Sequence, residues 1–251
     1  MGNRTLVNIR ALAARDLGDA LRNPTLLMSC AAGVLLAVFL GTVVAGSSRM
    51  APGEDEAFAL AGALCIVPAF VGCVMELYVM SEERERGSCV TLAEAGATAG
   101  EIAVSRWLSA TLVTLATQAA TGLLLGFAPA RMGALLALSA AGAQPLLLAG
   151  LACGLSAREQ MSSSLLAVPL TTVAVAPILA FMSGTVRQFT WFLPLGPAVE
   201  MVRAASGLEA IAPTPVLAAI IVAWVAVAAA VAVRASRRFA RDLDAERNRL
   251  A

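Results

Sequence analysis

Two residue types are missing from this chain. There is no histidine, and all 18 basic residues are arginine, so there is no lysine either. Without His, a Ser-His dyad and the usual His-bearing zinc sites are excluded. Without Lys, no GxxxxGK[ST] phosphate loop can form, and neither a Schiff-base lysine nor a Ser-Lys pair is available. Asp16, Asp19, Asp55, Asp242 and Asp244 all fall outside the long apolar runs, which removes an intramembrane aspartyl dyad. The chain is therefore not expected to be an enzyme, nor to bind ATP, a metal or another cofactor by itself. The arginine-only usage is also what a GC-rich coding sequence produces.

Charge of either sign is scarce. Only 14% of the 251 residues are charged, against about a quarter in a globular domain, while 59% are hydrophobic. About 20 apolar residues span a bilayer as a helix, and six runs qualify: 25–45, 57–80, 107–127, 132–155, 164–183 and 215–233. The ten-residue alternation of a transmembrane barrel is absent. The expected class is an all-α membrane protein of one domain, 1–251. The five cysteines (Cys30, Cys65, Cys73, Cys89, Cys153) lie in the runs or in the charged segment after the second, so they read as apolar filler rather than a disulfide framework.

Arginine placement sets the orientation. The first, third, fifth and seventh polar segments hold fourteen arginines and the other three hold four. By the positive-inside rule, both termini face the cytoplasm. The first apolar run starts too late and is too long for a cleavable signal, so a plasma (inner) membrane location is expected.

Ahead of the first run, Leu6, Ile9, Ala13, Leu17 and Leu21 recur at steps of three and four, with arginines on the other faces. Residues 1–23 thus read as an amphipathic helix lying in the headgroup layer. Asn23-Pro24 then caps and starts the first span. Thr98–Glu101 and Ser156–Glu159 are capping boxes for the third and fifth. GLLLG (Gly122 to Gly126) and GLACG (Gly150 to Gly154) are packing motifs. Three polar residues enter the spans. Gln118 and Gln144 are either ties between helices or substrate contacts. Glu76, near the inner end of the second span, either snorkels to the interface or pairs with Arg106.

Two segments break the pattern. Between the second and third spans, 81–106 carries Glu82, Glu83, Arg84, Glu85 and Arg86, then the helix breaker Gly87 with Ser88, then an apolar edge of Cys89, Leu92 and Ala93. Such a segment, held between two spans, suits contact with a soluble partner. The other, 184–213, is too apolar for a free loop and too interrupted by Pro194 and Pro197 to span. It concentrates Phe189, Trp191 and Phe192, and reads as one or two short helices dipping into the outer leaflet, with Glu200 and Arg203 placed to pair. It serves either as an external gate or as an interfacial anchor. The arginine-rich tail, 234–251, is expected on the cytoplasmic side.

Together these features resemble the ABC-2-type transporter permeases. Glu83-Arg84-Glu85-Arg86-Gly87-Ser88 matches the E-[KR]-E-[KR]-G-[ST] run that follows the second span of that family, and Leu92 falls where its short helix has a leucine. The loop proline usual there is missing, with Gly96 or Ala97 nearby. Pro197 to Arg203 is similar to the pattern before its sixth span. The resemblance implies six spans, an interfacial leader, a cytoplasmic coupling helix contacting an ATPase subunit through Glu82–Ser88 and Leu92, and an external re-entrant hairpin with Trp191, Phe192, Pro194, Pro197, Glu200 and Arg203 as its gate. It also implies two ATPase copies holding ATP and Mg, a second permease subunit, surrounding lipid, no nucleic acid, and export of a lipid, drug or peptide. An ion-coupled carrier and a non-transporting scaffold are the alternatives.

Overall fold

The computed structural model describes residues 2–44, 53–72, 75–157 and 160–250. Its regular structure is entirely helical among these residues. The leader is α1 (Gly2–Ala20), and α2 (Pro24–Phe39) follows it, continuing through a π-helical turn, Leu40–Val44. The Asn23 side chain accepts the Leu26 N–H at 3.2 Å, and Pro24 occupies the first turn, where its missing N–H costs nothing. The second apolar run is α3 (Glu54–Val67), then π-helical Pro68–Gly72 and Met75–Val79, then α4 (Met80–Glu85). After it come α5 (Ser88–Glu94), α6 (Ala99–Leu124), α7 (Pro129–Gly142), α8 (Gln144–Ser156), α9 (Gln160–Val175) with a 3-10 turn Ala176–Phe181, α10 (Gly184–Thr190), α11 (Gly196–Ala205) and α12 (Thr214–Leu250).

Among the described residues, four helices are long and apolar enough to cross a membrane: Pro24–Val44, Glu54–Glu85, Ala99–Leu124 and Thr214–Asn248. A fifth crossing requires α7 and α8 to act as one span bent by 42°. Leu165–Phe181 is a shorter apolar helix. Of the six runs read from hydropathy, the helices of the described residues thus account for four or five as crossings by length and composition. A proline stands at the α7–α8 break: Pro145 lies in the first turn of α8 beside Ala143, without the N–H that would continue the preceding helix. The architecture is an all-helical, multi-pass bundle.

The second span is the hub. Within its most apolar stretch 94% of the residues are buried, against 11% for the first span and 22% for the last. Phe58, Leu64, Ile66, Met75, Leu77 and Met80 are fully enclosed, packed by α2, α6, α8, α9 and α11. The first and last spans instead turn Leu27, Met28, Leu35, Phe39, Val222 and Val227 outward, the faces that lipid would cover. Gly154 shows how tightly the hub is held. A Cβ there would collide with the Glu76 carbonyl, so α8 crosses the second span backbone against backbone, as its GxxxG motif allows.

Candidate functional site

Charged pairs sort to two separate ends of the bundle. One end joins α1, α4, α6 and α12. Gly87, in the left-handed region at φ 72°, stops α4 and lets α5 turn away. Glu83 accepts from Arg15 at 2.8 Å and forms an ion pair with Arg106, whose other contact is Asp16 at 3.4 Å. Arg84 donates to the Leu155 carbonyl, reaches Asp242 at 3.5 Å and lies over the Phe239 ring at 5.2 Å. The charged segment is thus clamped by the leader, the third span and the C-terminal helix together.

Of the residues expected to meet a partner, Glu83 and Arg84 turn inward, their side chains only 12% and 6% exposed. Glu82 is half-buried and pairs with Arg86 at 2.7 Å, while Arg86 and Glu85 are exposed; Gly87, Ser88 and Leu92 are half-buried. The apolar edge of α5 does not face outward. Cys89 and Val90 are buried, and Leu92 and Ala93 are half-buried, against Met80, Leu155, Phe239 and Leu243. The face of α5 left exposed is Thr91, Glu94 and Ala95. Burial, followed by the nearby Glu83 charge, pushes the Cys89 thiol up to about 12, so it is no reactive nucleophile.

The leader itself packs by a partly polar line. Asn8 donates to Glu101 at 3.3 Å, Ser109 donates to the Ala13 carbonyl at 3.4 Å, and Asp16 is buried with Ala13 and Ala20, while Leu6 and Leu21 stay exposed. Burial holds the Asp16 carboxyl above its ordinary range, although Arg106 pulls the other way. The capping box at Thr98 forms in both directions: Thr98 N–H donates to Glu101 at 2.9 Å, and Glu101 N–H donates to the Thr98 hydroxyl at 3.2 Å. Glu159 of the second box lies outside the described residues.

At the opposite end Arg131 pairs with Glu56, and 184–213 folds into the two short helices α10 and α11. Glu200, 1% exposed, pairs with Arg187 rather than with Arg203: Arg187 Nε and Nη2 donate to its two oxygens at 2.8 and 2.6 Å. Glu200 also accepts the Ile211 N–H at 3.0 Å. The expected pairing fails because Arg203 lies instead over the Phe181 ring at 4.9 Å, with its buried Nε unpartnered. The Glu200 hydrogen bonds raise Arg187 further, whereas burial and then Arg187 lower Arg203. Trp191 and Phe192 meet edge to face at 6.3 Å, and Trp224 donates to the Phe192 carbonyl at 2.7 Å. Phe192 is exposed, Trp191 and Pro194 are half-buried, and Pro197 is buried at the start of α11.

Inside the bundle, Gln118 donates to the Ala63 carbonyl at 3.0 Å and ties the second and third spans. Gln144 accepts from Trp107 at 2.7 Å and donates to the Ala140 carbonyl at 2.9 Å. Glu76 follows neither course read for it. It is 1% exposed, so it does not snorkel, and neither carboxylate oxygen has a hydrogen-bond partner, Arg106 being held by Glu83 and Asp16. No set of three His, Cys, Asp or Glu suited to a metal occurs among the described residues.

Sequence reasoning missed Arg15, Asp16, Arg187, Phe239 and Asp242. The signal for Asp16 was present, since it shares the inner line of the leader with Ala13 and Ala20 at steps of three and four. No protein-family model matches this chain, and no curated protein matches it.

Proposed function

We propose that this chain is the membrane subunit of an ATP-driven exporter of the ABC-2 type. In this reading six crossings, counting the bent α7–α8 pair and the shorter Leu165–Phe181 helix, sit in a bacterial inner membrane with both termini in the cytoplasm. A separate ATPase, in two copies that hold ATP and Mg, docks on α4–α5, and a second permease subunit completes the transporter. Helices α10 and α11 form the re-entrant external gate. A hydrophobic or amphipathic cargo, whether lipid, drug or peptide, suits an interior with so few charges.

The observation that supports this best is the clamp. Arg15–Glu83, Glu83–Arg106 and Arg84–Asp242 fasten α4 to the leader, the third span and the last helix. A push on the exposed side of α4 and α5 is therefore delivered to three helices at once, which is what a chain without its own phosphate loop needs from an external motor. The revised contact surface is Glu82, Glu85, Arg86, Thr91 and Glu94, with Glu83 and Arg84 as the fasteners behind it.

The test is co-expression with an ATPase bearing a GxxxxGK[ST] loop encoded beside this gene. Co-purification in stoichiometric amounts, with ATP hydrolysis that responds to Arg86→Glu, supports the reading. Failure to co-purify, or ion-gradient-driven transport in liposomes lacking any ATPase, overturns it.

A further inference from the structure

Glu76 lies in the π-helical turn Met75–Val79, enclosed to 1% exposure, with both carboxylate oxygens buried and without a hydrogen-bond donor. On one side Gly154 of α8 packs against its backbone carbonyl, where a Cβ would collide. A carboxylate ion stripped of water must be paired or neutralised. The charges that reach it are Arg106 from α6 and Asp16 from α1. Among the other elements packed on this turn, α8 brings only Cys153 and α4 brings Glu82, Glu83, Arg84 and Glu85. Pro68–Gly72 and α9 carry no titratable residue, and the turn itself holds Tyr78.

Compensation within this group is unequal. Glu83 has two guanidinium partners, Arg15 and Arg106, and Asp16 has one, at 3.4 Å. Glu76 has none. Arg106, 3% exposed, is a deeply buried cation that faces all three of these shielded carboxyls. Beside them is a cavity of about 30 Å³, lined by Asp16, Asn23, Glu83 and Arg106 and by Met75 and Val79, which flank Glu76 on its own turn. That volume admits one or two waters. The second oxygen of Asp16 is buried and unpartnered at the same junction.

We propose that Glu76 is a proton-binding site, carrying its proton as the neutral acid and exchanging it with water that reaches the Asp16–Glu83–Arg106 cavity. On release the carboxyl O–H bond breaks, the proton passes to water, and the electron pair stays on Glu76. The new carboxylate then competes with Asp16 and Glu83 for Arg106. Proton occupancy in the second span is thereby read at the joint that fastens the leader and α4. The site stands whether or not a motor docks on α5.

Infrared spectroscopy of the purified full chain tests this. At neutral pH the wild type is expected to show the C=O stretch of a buried carboxylic acid, shifted by exchange into D2O. The band should vanish as the pH is raised, be absent from Glu76→Gln and persist in Asp16→Asn. Lack of an acid band in the wild type at neutral pH overturns the proposal, and that measurement needs no variant to fold. The same band in Glu76→Gln, or its loss in Asp16→Asn with Glu76 intact, also overturns it.

Discussion

Arg106, at the mouth of the third span, pairs with Glu83 of the charged segment while only 3% exposed, and Asp16 of the leader stands on its other side. One guanidinium thus holds two carboxylates from two separate elements. Both contacts are made by Nη2, one end of a rigid planar group that a flexible ammonium stem does not reproduce. Arg106→Ala leaves Glu83 and Asp16 facing each other and should cost roughly 3–5 kcal/mol. Arg106→Lys should recover only part of it. Equilibrium unfolding in mixed micelles measures both, and equal stability of the two variants would contradict this geometry.

Adjacent arginines of the charged segment should behave in opposite ways. Arg84 is buried against Leu155, Asp242 and Phe239, so Arg84→Ala should lower stability by about 1–3 kcal/mol whether or not a partner is present. Arg86, 72% exposed, bonds only to Glu82 within α4 and its edge, so Arg86→Glu should move stability by about 0.5 kcal/mol or less. If the proposed ATPase docks there, its effect should appear in coupled ATP hydrolysis, as a drop of about tenfold, equivalent to about 1.4 kcal/mol of lost contact. A melt paired with a hydrolysis assay separates the two residues. Loss of coupling in Arg84→Ala at unchanged stability would reverse their assignment.

What the sequence made legible was local. Asn23-Pro24 and Thr98–Glu101 are read within four residues, because a cap is a contact between near neighbours, and the leader helix follows from one period of three and four. The inward turn of Glu83 and Arg84 was not legible, since the partners that fix it, Arg15 and Asp242, lie 68 and 158 positions away. A six-residue helix such as α4 carries charge on every side, and only tertiary contact decides which side is inside. Glu200 shows the same limit. Arg203 stands at the helical spacing, yet Arg187, 13 positions earlier, reaches both oxygens from the neighbouring short helix.

That pairing can be checked by asymmetry. Arg187→Ala leaves Glu200, 1% exposed, with the Ile211 N–H as its only remaining donor and should cost roughly 3–5 kcal/mol. Arg203→Ala removes a cation from the face of Phe181 and should cost about 0.5–2 kcal/mol. Thermal unfolding of the two variants side by side should rank them in that order. The reverse order would mean that Glu200 answers to Arg203 after all.

The two small-residue motifs make a similar contrast. At Gly154 a Cβ meets the fixed carbonyl of Glu76, and at Gly122 it meets the flexible end of Met132. Gly154→Ala should therefore cost about 1–3 kcal/mol as α8 is forced off the second span, and Gly122→Ala should be within about 0.5 kcal/mol of wild type. Equal melting temperatures would show that α8 and the second span do not cross as closely as described.

Acidity offers a last handle on the joint. Burial raises the Asp16 carboxyl above its ordinary range, so the folded chain holds that proton more tightly than the unfolded chain does. When the native state binds more protons, stability falls as pH rises. The contribution of Asp16 is thus fully present below its ordinary value, where both states are protonated, and is lost as the pH climbs through the folded-state value. In Asp16→Asn the side chain stays polar and cannot ionise, and Arg106 keeps Glu83. Its stability should fall less steeply across the same acidic window, measured as unfolding midpoint against pH. A slope identical to wild type would show that Asp16 ionises in the folded protein as freely as in the unfolded chain, and the leader would then not be sealed against α6 at that residue.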